Sequence, residues 1–334
     1  MERINQIVSD IKQGNIKPIY FLMGEEPYYI DKIADYIENT ILSEEEKGFN
    51  QMILYGRDVS IETVISNAKR YPMMAERQVV IVKEAQELSR TIENLAPYVE
   101  NPQPTTVLVF CYKYKTLDKR KKLYKLIDKT GLLFESAKLY ENQVGDWIRR
   151  VLSGSGYKID PKAALMLVEF LGTNLSKISN ELDKLMLILP ASSTITPKDI
   201  EENIGISKDY NNFELRKAVG EKQLLKANQI ITYFAQNPKS NPLVMTISLL
   251  NSFFTQLLVY HGLHDKSKSN VAKALRINPY FVGDYQTASR NYPMKKVSQV
   301  ISLLRDADLK SKGVGAQNLP EGDILKELIF KVMH

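Results

Sequence analysis

The chain reads as an α/β domain with a mainly parallel sheet over residues 1–140, followed by two all-α domains over residues 141–210 and 211–334. Three observations predict this. Apolar runs of β type alternate with helical patterns through the first 140 residues, the signature of a sheet covered by helices. From Glu141 the β-type runs stop, and short helical stretches are separated by turn clusters such as Ser153-Gly154-Ser155-Gly156 and Pro190-Ala191-Ser192-Ser193. From Asn211 onward every segment carries helical spacing, with no internal repeat or low-complexity tract.

In chain order, Pro18 to Met23 predicts a first strand, Gly24 a turn, and Ile30, Ile33, Ala34 and Ile37 one apolar face of the next helix. An amphipathic helix is expected around Ile61 to Lys69. Arg77 to Lys83 and Thr105 to Tyr112 are short apolar runs of the kind buried between helices. In the second segment Leu175, Ile178, Leu182, Leu185 and Met186 form a stripe, and Thr196-Pro197 before Lys198-Asp199-Ile200 has the form of a capped helix start. The third segment should hold five to seven packed helices, with Asn241-Pro242 and Asn278-Pro279 opening two of them.

The totals narrow the function classes. With 334 residues, 44% apolar and 25% charged, the chain is expected to fold with more than one core. Met1 to Gly14 mixes charges into its apolar positions unlike a signal peptide, and no uninterrupted apolar run reaches the roughly 18 residues that span a bilayer. The lone Cys111 follows Val107-Leu108-Val109-Phe110 and is expected as a buried thiol, which fits the cytoplasm and no membrane. The net charge is +6: acids and bases balance over residues 1–140, whereas residues 211–334 carry 17 Lys and Arg against 9 Asp and Glu. That excess is compatible with a nucleic-acid neighbour and equally with a solvated surface.

A strand, a tight glycine turn and a helix are where a phosphate-binding loop would sit, because helix-terminal N–H groups and the macrodipole attract anions. The loop here is Gly24-Glu25-Glu26-Pro27-Tyr28-Tyr29-Ile30, without the second glycine, Lys and Ser or Thr that cradle phosphates. Glu25 and Glu26 would repel a triphosphate, or simply complement the helix dipole. At the end of the Arg77–Lys83 run, Lys83-Glu84 stands where an ATPase carries paired acids that hold magnesium, so Lys83 replaces the metal-holding residue. His261, His264 and His334 form no metal motif and flank no nucleophile; the first two are expected on a helix surface. No catalytic residue, metal site or cofactor is expected.

Ile19-Tyr20-Phe21-Leu22-Met23-Gly24-Glu25-Glu26-Pro27, Leu117-Asp118-Lys119-Arg120-Lys121-Lys122-Leu123, Glu181-Leu182-Asp183-Lys184-Leu185, Asn212-Phe213-Glu214-Leu215 and Leu304 to Gly313, in this order, resemble the delta subunits of bacterial DNA polymerase III. The resemblance spans nearly the whole chain. It implies an AAA+-type α/β domain, a helical lid (141–210) and a helical collar (211–334) that joins gamma or tau and delta-prime subunits in a five-membered clamp loader acting on primed DNA. It also implies a non-catalytic subunit, without ATP hydrolysis of its own, of the DNA polymerase III holoenzyme.

In that family a pair of large apolar residues before the third strand inserts into the sliding clamp and opens one of its interfaces. The matching positions are Met73 and Met74, flanked by Tyr71 and Pro72, with methionine replacing the Leu-Phe or similar pair. By spacing alone the two methionines read first as ordinary core residues of the α/β domain. Three other readings stay open. Ser269 to Val282 has helix-turn-helix spacing, as in a DNA-binding regulator. The chain could also be an active ATPase with an atypical loop. Tyr112 to Lys129, with eight Lys or Arg and interleaved Tyr112, Tyr114 and Tyr124, could contact nucleic acid or be a solvated face.

Overall fold

The structure is a computed structural model that describes residues 2–207, 209–315 and 319–334. It divides into two compact units, Met1–Leu139 and Tyr140–His334. The first contains α1 (Glu2–Lys12), β1 (Ile19–Gly24), α2 (Pro27–Thr40), α3 (Glu44–Asn50), β2 (Gln51–Tyr55), α4 (Ile61–Ala68), β3 (Gln78–Lys83), α5 (Ala96–Glu100), β4 (Thr106–Lys113), α6 (Lys122–Thr130) and β5 (Leu132–Ser136). The five strands form one parallel sheet in the order β2-β3-β4-β1-β5.

The three central strands read as unbroken apolar runs because both faces of the sheet are covered. Phe21, Val80, Val82, Leu108 and Phe110 share a core with Ile61 and Val64 of α4 and Leu123 and Ile127 of α6. Across the register Phe21 lies beside Phe110, their rings stacked 5.4 Å apart. On α2, Ile30, Ile33, Ala34 and Ile37 are the buried stripe that the spacing predicted. Cys111 is fully buried, and burial pushes its thiol up to about 12. The strands expected at 18–23, 77–83 and 105–112 are present within a residue of their predicted bounds; β2 and β5, at the two edges, were not foreseen.

The second unit is helical: α7 (Glu141–Gly154), α8 (Pro161–Leu171), α9 (Leu175–Ile188), α10 (Pro197–Ile204), α11 (Asn212–Gly220), α12 (Leu224–Gln236), α13 (Leu243–Gly262), α14 (Lys268–Leu275), α15 (Val282–Asn291), α16 (Met294–Ser311) and α17 (Glu321–Met333). The expectation that strands end at Glu141 is corrected by β6 (Lys158–Ile159) and β7 (Thr194–Ile195), two short parallel strands. Thr196 caps α10 in a reciprocal capping box with Asp199, with Pro197 at the first position, as foreseen. Asn278 likewise caps the short 3₁₀ turn Pro279–Phe281 that leads into α15. Asn241 does not cap: α13 starts at Leu243 with Pro242 in the cap position.

Helix α13 also qualifies the membrane expectation, since its 20 residues are long and apolar enough to cross a bilayer. In this fold it buries Ile247, Leu250, Phe253, Phe254 and Leu257 in a core shared with α11, α15, α16 and α17. It is the central helix of the bundle.

Candidate functional site

The strands of the first unit end together at the carboxyl edge of the parallel sheet, where Gly24, Lys83, Lys113 and Ser136 stand. Gly24 has φ +125°, and a Cβ there would lie 2.1 Å from the Ser136 carbonyl oxygen, so only glycine allows β1 to turn this close to β5. The next two amides are both taken from within. The Glu25 N–H donates to the Ser136 carbonyl at 3.0 Å and the Glu26 N–H to Ser136 Oγ at 3.2 Å. Glu26 then turns its own carboxylate onto the start of α2, where Oε1 accepts from the Tyr28 N–H at 3.1 Å and Pro27 occupies the first turn. The amides and dipole that could hold a phosphate thus serve a serine and a buried carboxylate. Burial raises the Glu26 carboxyl, while the Tyr28 N–H and the Lys138 charge pull it back. Glu25 is exposed to solvent.

The rest of this edge is filled with ion pairs. Lys83 Nζ lies 3.1 Å from Glu38 of α2. Burial alone would lower the Lys83 ammonium, but the hydrogen bond and charge of Glu38 outweigh it and the net direction is up. Lys113 at the end of β4 bridges Asp31 at 2.9 Å and Glu84 at 2.8 Å, and these partners likewise raise it against burial. The Glu84 carboxylate is held below its ordinary value, first by the Lys113 hydrogen bond. Glu84, which follows β3, is therefore a counter-ion of Lys113. Among the described residues no cluster of three or more His, Cys, Asp or Glu is arranged to hold a metal.

The basic run 112–129 is similarly engaged. Lys119 pairs with Glu135, Arg120 with Asp118, Lys121 with Glu93 and Lys122 with Glu100. These side chains are exposed, so each pair contributes little and holds the face only loosely. His261 is half-buried and its Nε2 donates to the Tyr292 carbonyl at 2.8 Å; His264 lies beyond the end of α13.

The amino edge of the same sheet is built differently. Helix α4 stops at Ala68, and its last carbonyls find partners on neighbouring elements, as a buried helix end requires. Thr106 Oγ1, at the start of β4, donates to the Ala68 carbonyl at 2.8 Å, and Tyr98 Oη to the same oxygen at 3.3 Å. Gln78, at the start of β3, reaches the Arg70 carbonyl at 2.6 Å through Nε2. Beyond Arg70 the loop turns outward: Tyr71 is 78% exposed, Met73 62% and Met74 103%, with Pro72 partly covered. Met73 and Met74 are therefore surface residues, and the alternative that they belong to the core fails. Met74 holds a left-handed backbone, φ +55°, uncommon for a residue with a side chain.

Two family models match the chain. DNA polymerase III, delta subunit, covers residues 20–137, and DNA polymerase III delta subunit, C-terminal domain, covers residues 209–320. DNA polymerase III subunit delta of Bacillus subtilis (strain 168) is 25% identical over 312 residues, 90% of each chain. Among solved structures, the Bacillus subtilis DNA clamp loader delta protein superposes with a TM-score of 0.56 over 99% of both chains at 23% identity, which supports the fold.

Proposed function

The chain belongs to the DNA polymerase III delta-subunit family, part of the clamp loader that serves replication, and we propose that it works there by gripping the sliding clamp through Met73 and Met74. The observation that carries this reading is the exposed methionine pair, on a loop fastened at its base by Gln78 and Thr106. Two solvated apolar side chains beside Tyr71 and Pro72 form an anchor suited to an apolar pocket, and methionine adapts to an irregular one. Burying both would contribute about 3–6 kcal/mol before the ordering of side chains and partners is subtracted. To open a ring the pair must bind the open form better than the closed form, since only differential affinity moves an equilibrium.

The subunit itself hydrolyses no ATP in this reading. The internally bonded Gly24–Tyr28 turn and the ion pairs of Lys83 and Lys113 support that, because a triphosphate would have to displace them and meet Glu25 and Glu26. Residues 141–210 then act as lid and 211–334 as the collar that meets the gamma or tau and delta-prime subunits, around primed DNA in the cytoplasm.

Equilibrium binding of the purified chain to its cognate clamp without nucleotide tests the proposal. Binding is expected, and Met73→Ala with Met74→Ala should abolish it without unfolding the protein. Unchanged binding by the folded double variant removes the site. Turnover of ATP by the isolated chain, lost on changing Glu84, would support an active ATPase instead. Tight binding to one duplex sequence would support a helix-turn-helix regulator, since a loader subunit's DNA contact should be sequence-blind and salt-sensitive.

A further inference from the structure

We infer that Asn50 is a positioning residue for the clamp-contact loop, which it holds in the form that presents Met73 and Met74; this inference rests on the clamp-contact reading above. Asn50 is the last residue of α3, directly before β2, and only 4% of it is exposed. Its amide side chain meets the backbone of Met73 in both senses. The Met73 N–H donates to Asn50 Oδ1 at 2.6 Å, and Asn50 Nδ2 donates to the Met73 carbonyl at 2.9 Å. The same Nδ2 also reaches the Glu46 carbonyl of α3 at 3.1 Å. The carboxamide thus copies one rung of a strand pairing and joins the loop to a helix end 23 residues earlier.

Three further features show why the loop depends on this rung. Met73 and Met74 stand at 62% and 103% exposure, so their side chains have little contact to hold them in place. The left-handed turn at Met74 opposes the local preference of a residue with a Cβ, and such a conformation persists only where its surroundings impose it. Gln78 and Thr106 fasten the loop only as far as Arg70. Beyond that point Asn50 makes the bidentate contact, to the backbone of the residue immediately before the turn. Without it the binding-competent loop becomes one conformer among several, and apparent affinity falls by the fraction lost. Asn50 also pairs the loop with α3, whose Phe49, one position earlier, is 77% exposed.

The test compares full-length chains with Asn50→Leu, with Met73→Ala and Met74→Ala together, and with Met74→Ala alone and combined with Asn50→Leu. The readouts are clamp-binding kinetics, amide hydrogen exchange and melting. Asn50→Leu is expected to weaken clamp binding about tenfold, mainly through slower association. The Met73 amide should exchange faster while the sheet amides keep their protection. The loss should shrink in the Met74→Ala background, because Asn50 acts through the pair.

Wild-type affinity of Asn50→Leu, with the Met73 amide released, overturns the inference, as do fully additive losses. Should Asn50→Leu fail to fold, Asn50→Asp decides. It keeps an acceptor for the Met73 N–H but sets a carboxylate against the Met73 carbonyl, so a severalfold loss is expected and wild-type affinity overturns the inference. Loss of binding in the double alanine variant beside intact binding in Asn50→Leu sinks the positioning role alone. Retained binding in the double alanine variant sinks the clamp-contact reading on which it rests.

Discussion

The two edges of the first unit's sheet make opposite use of similar chemistry. At the carboxyl edge, Gly24, Glu26 and Ser136 close a turn in which amides and carboxylate bond one another, and Lys83 and Lys113 pair with Glu38, Asp31 and Glu84. At the amino edge, Asn50, Gln78 and Thr106 also bond backbone groups internally, yet the segment they hold turns its apolar side chains to solvent. Polar groups close the structure at both edges; at the amino edge they leave two methionines side by side in solvent, and at the carboxyl edge the separate exposed tyrosines Tyr55 and Tyr114. Satisfying a backbone group does not decide whether the neighbouring side chains are covered: similar internal bonding leaves Glu26 buried at one edge and Met73 and Met74 in water at the other.

Gly24→Ala would disturb the comparison most. With a Cβ 2.1 Å from the Ser136 carbonyl, β1 and β5 must part, and a loss on the order of 4 kcal/mol or more is expected in denaturant melts of the chain. A loss below about 1 kcal/mol would show that the carboxyl edge is loosely built.

The next effect lies in the second unit, where Glu169 of α8 gives a counter-case to Glu26. It is buried, its Oε2 has no hydrogen-bond partner, and burial lifts its carboxyl to about 7 despite the charge of Arg216. Both states hold the proton below the ordinary 4.5. As pH rises from 4.5 to about 7 the unfolded chain releases it and the folded chain keeps it, so stability falls through that window, by on the order of 3 kcal/mol. Glu169→Gln should flatten that slope and be the more stable chain at pH 8. An unchanged slope in the variant would show that Glu169 does not produce it.

Ser136→Ala comes third. It leaves the Glu26 N–H without its acceptor and should cost about 1–3 kcal/mol, read as a lower denaturation midpoint with unchanged clamp binding. Reduced clamp binding by this folded variant would mean that the two edges are coupled. The smallest effect on stability is expected from the residues proposed to matter most for function. Met73→Ala with Met74→Ala should move stability by no more than about 0.5 kcal/mol, because both side chains are already in water. A larger loss would place them in the folding energetics of the amino edge.

Much of the fold was legible because it rests on local pattern. The apolar runs of β1, β3 and β4, the buried stripe of α2 and the capping box at Thr196 are each readable within a few neighbours. The edge strands were missed since β2 is partly exposed, with Ile53 and Tyr55 facing solvent, and carries no clean alternation. Strands β6 and β7 have two residues each and exist only because they meet. At the site, residue types named the Gly24–Pro27 turn and Lys83, and the family resemblance named the methionine pair. It could not show that Glu26 caps α2, that Glu84 answers Lys113, or that Asn50 holds Met73.

The family resemblance singled out the methionine pair. By itself, then, the sequence determined the α/β-then-helical order and the residue types at Gly24–Pro27 and Lys83, which lack a phosphate loop's Lys and Ser or Thr and a metal-holding acid. Side-chain type and spacing carry that information directly. Tertiary structure alone decided that Met73 and Met74 face solvent, and which side chains hold their loop. Those properties depend on partners distant in the chain: Asn50 is 23 residues from Met73, and Thr106 is 38 from Ala68. A short polar side chain reads alike in any loop until the fold brings it a backbone to bond.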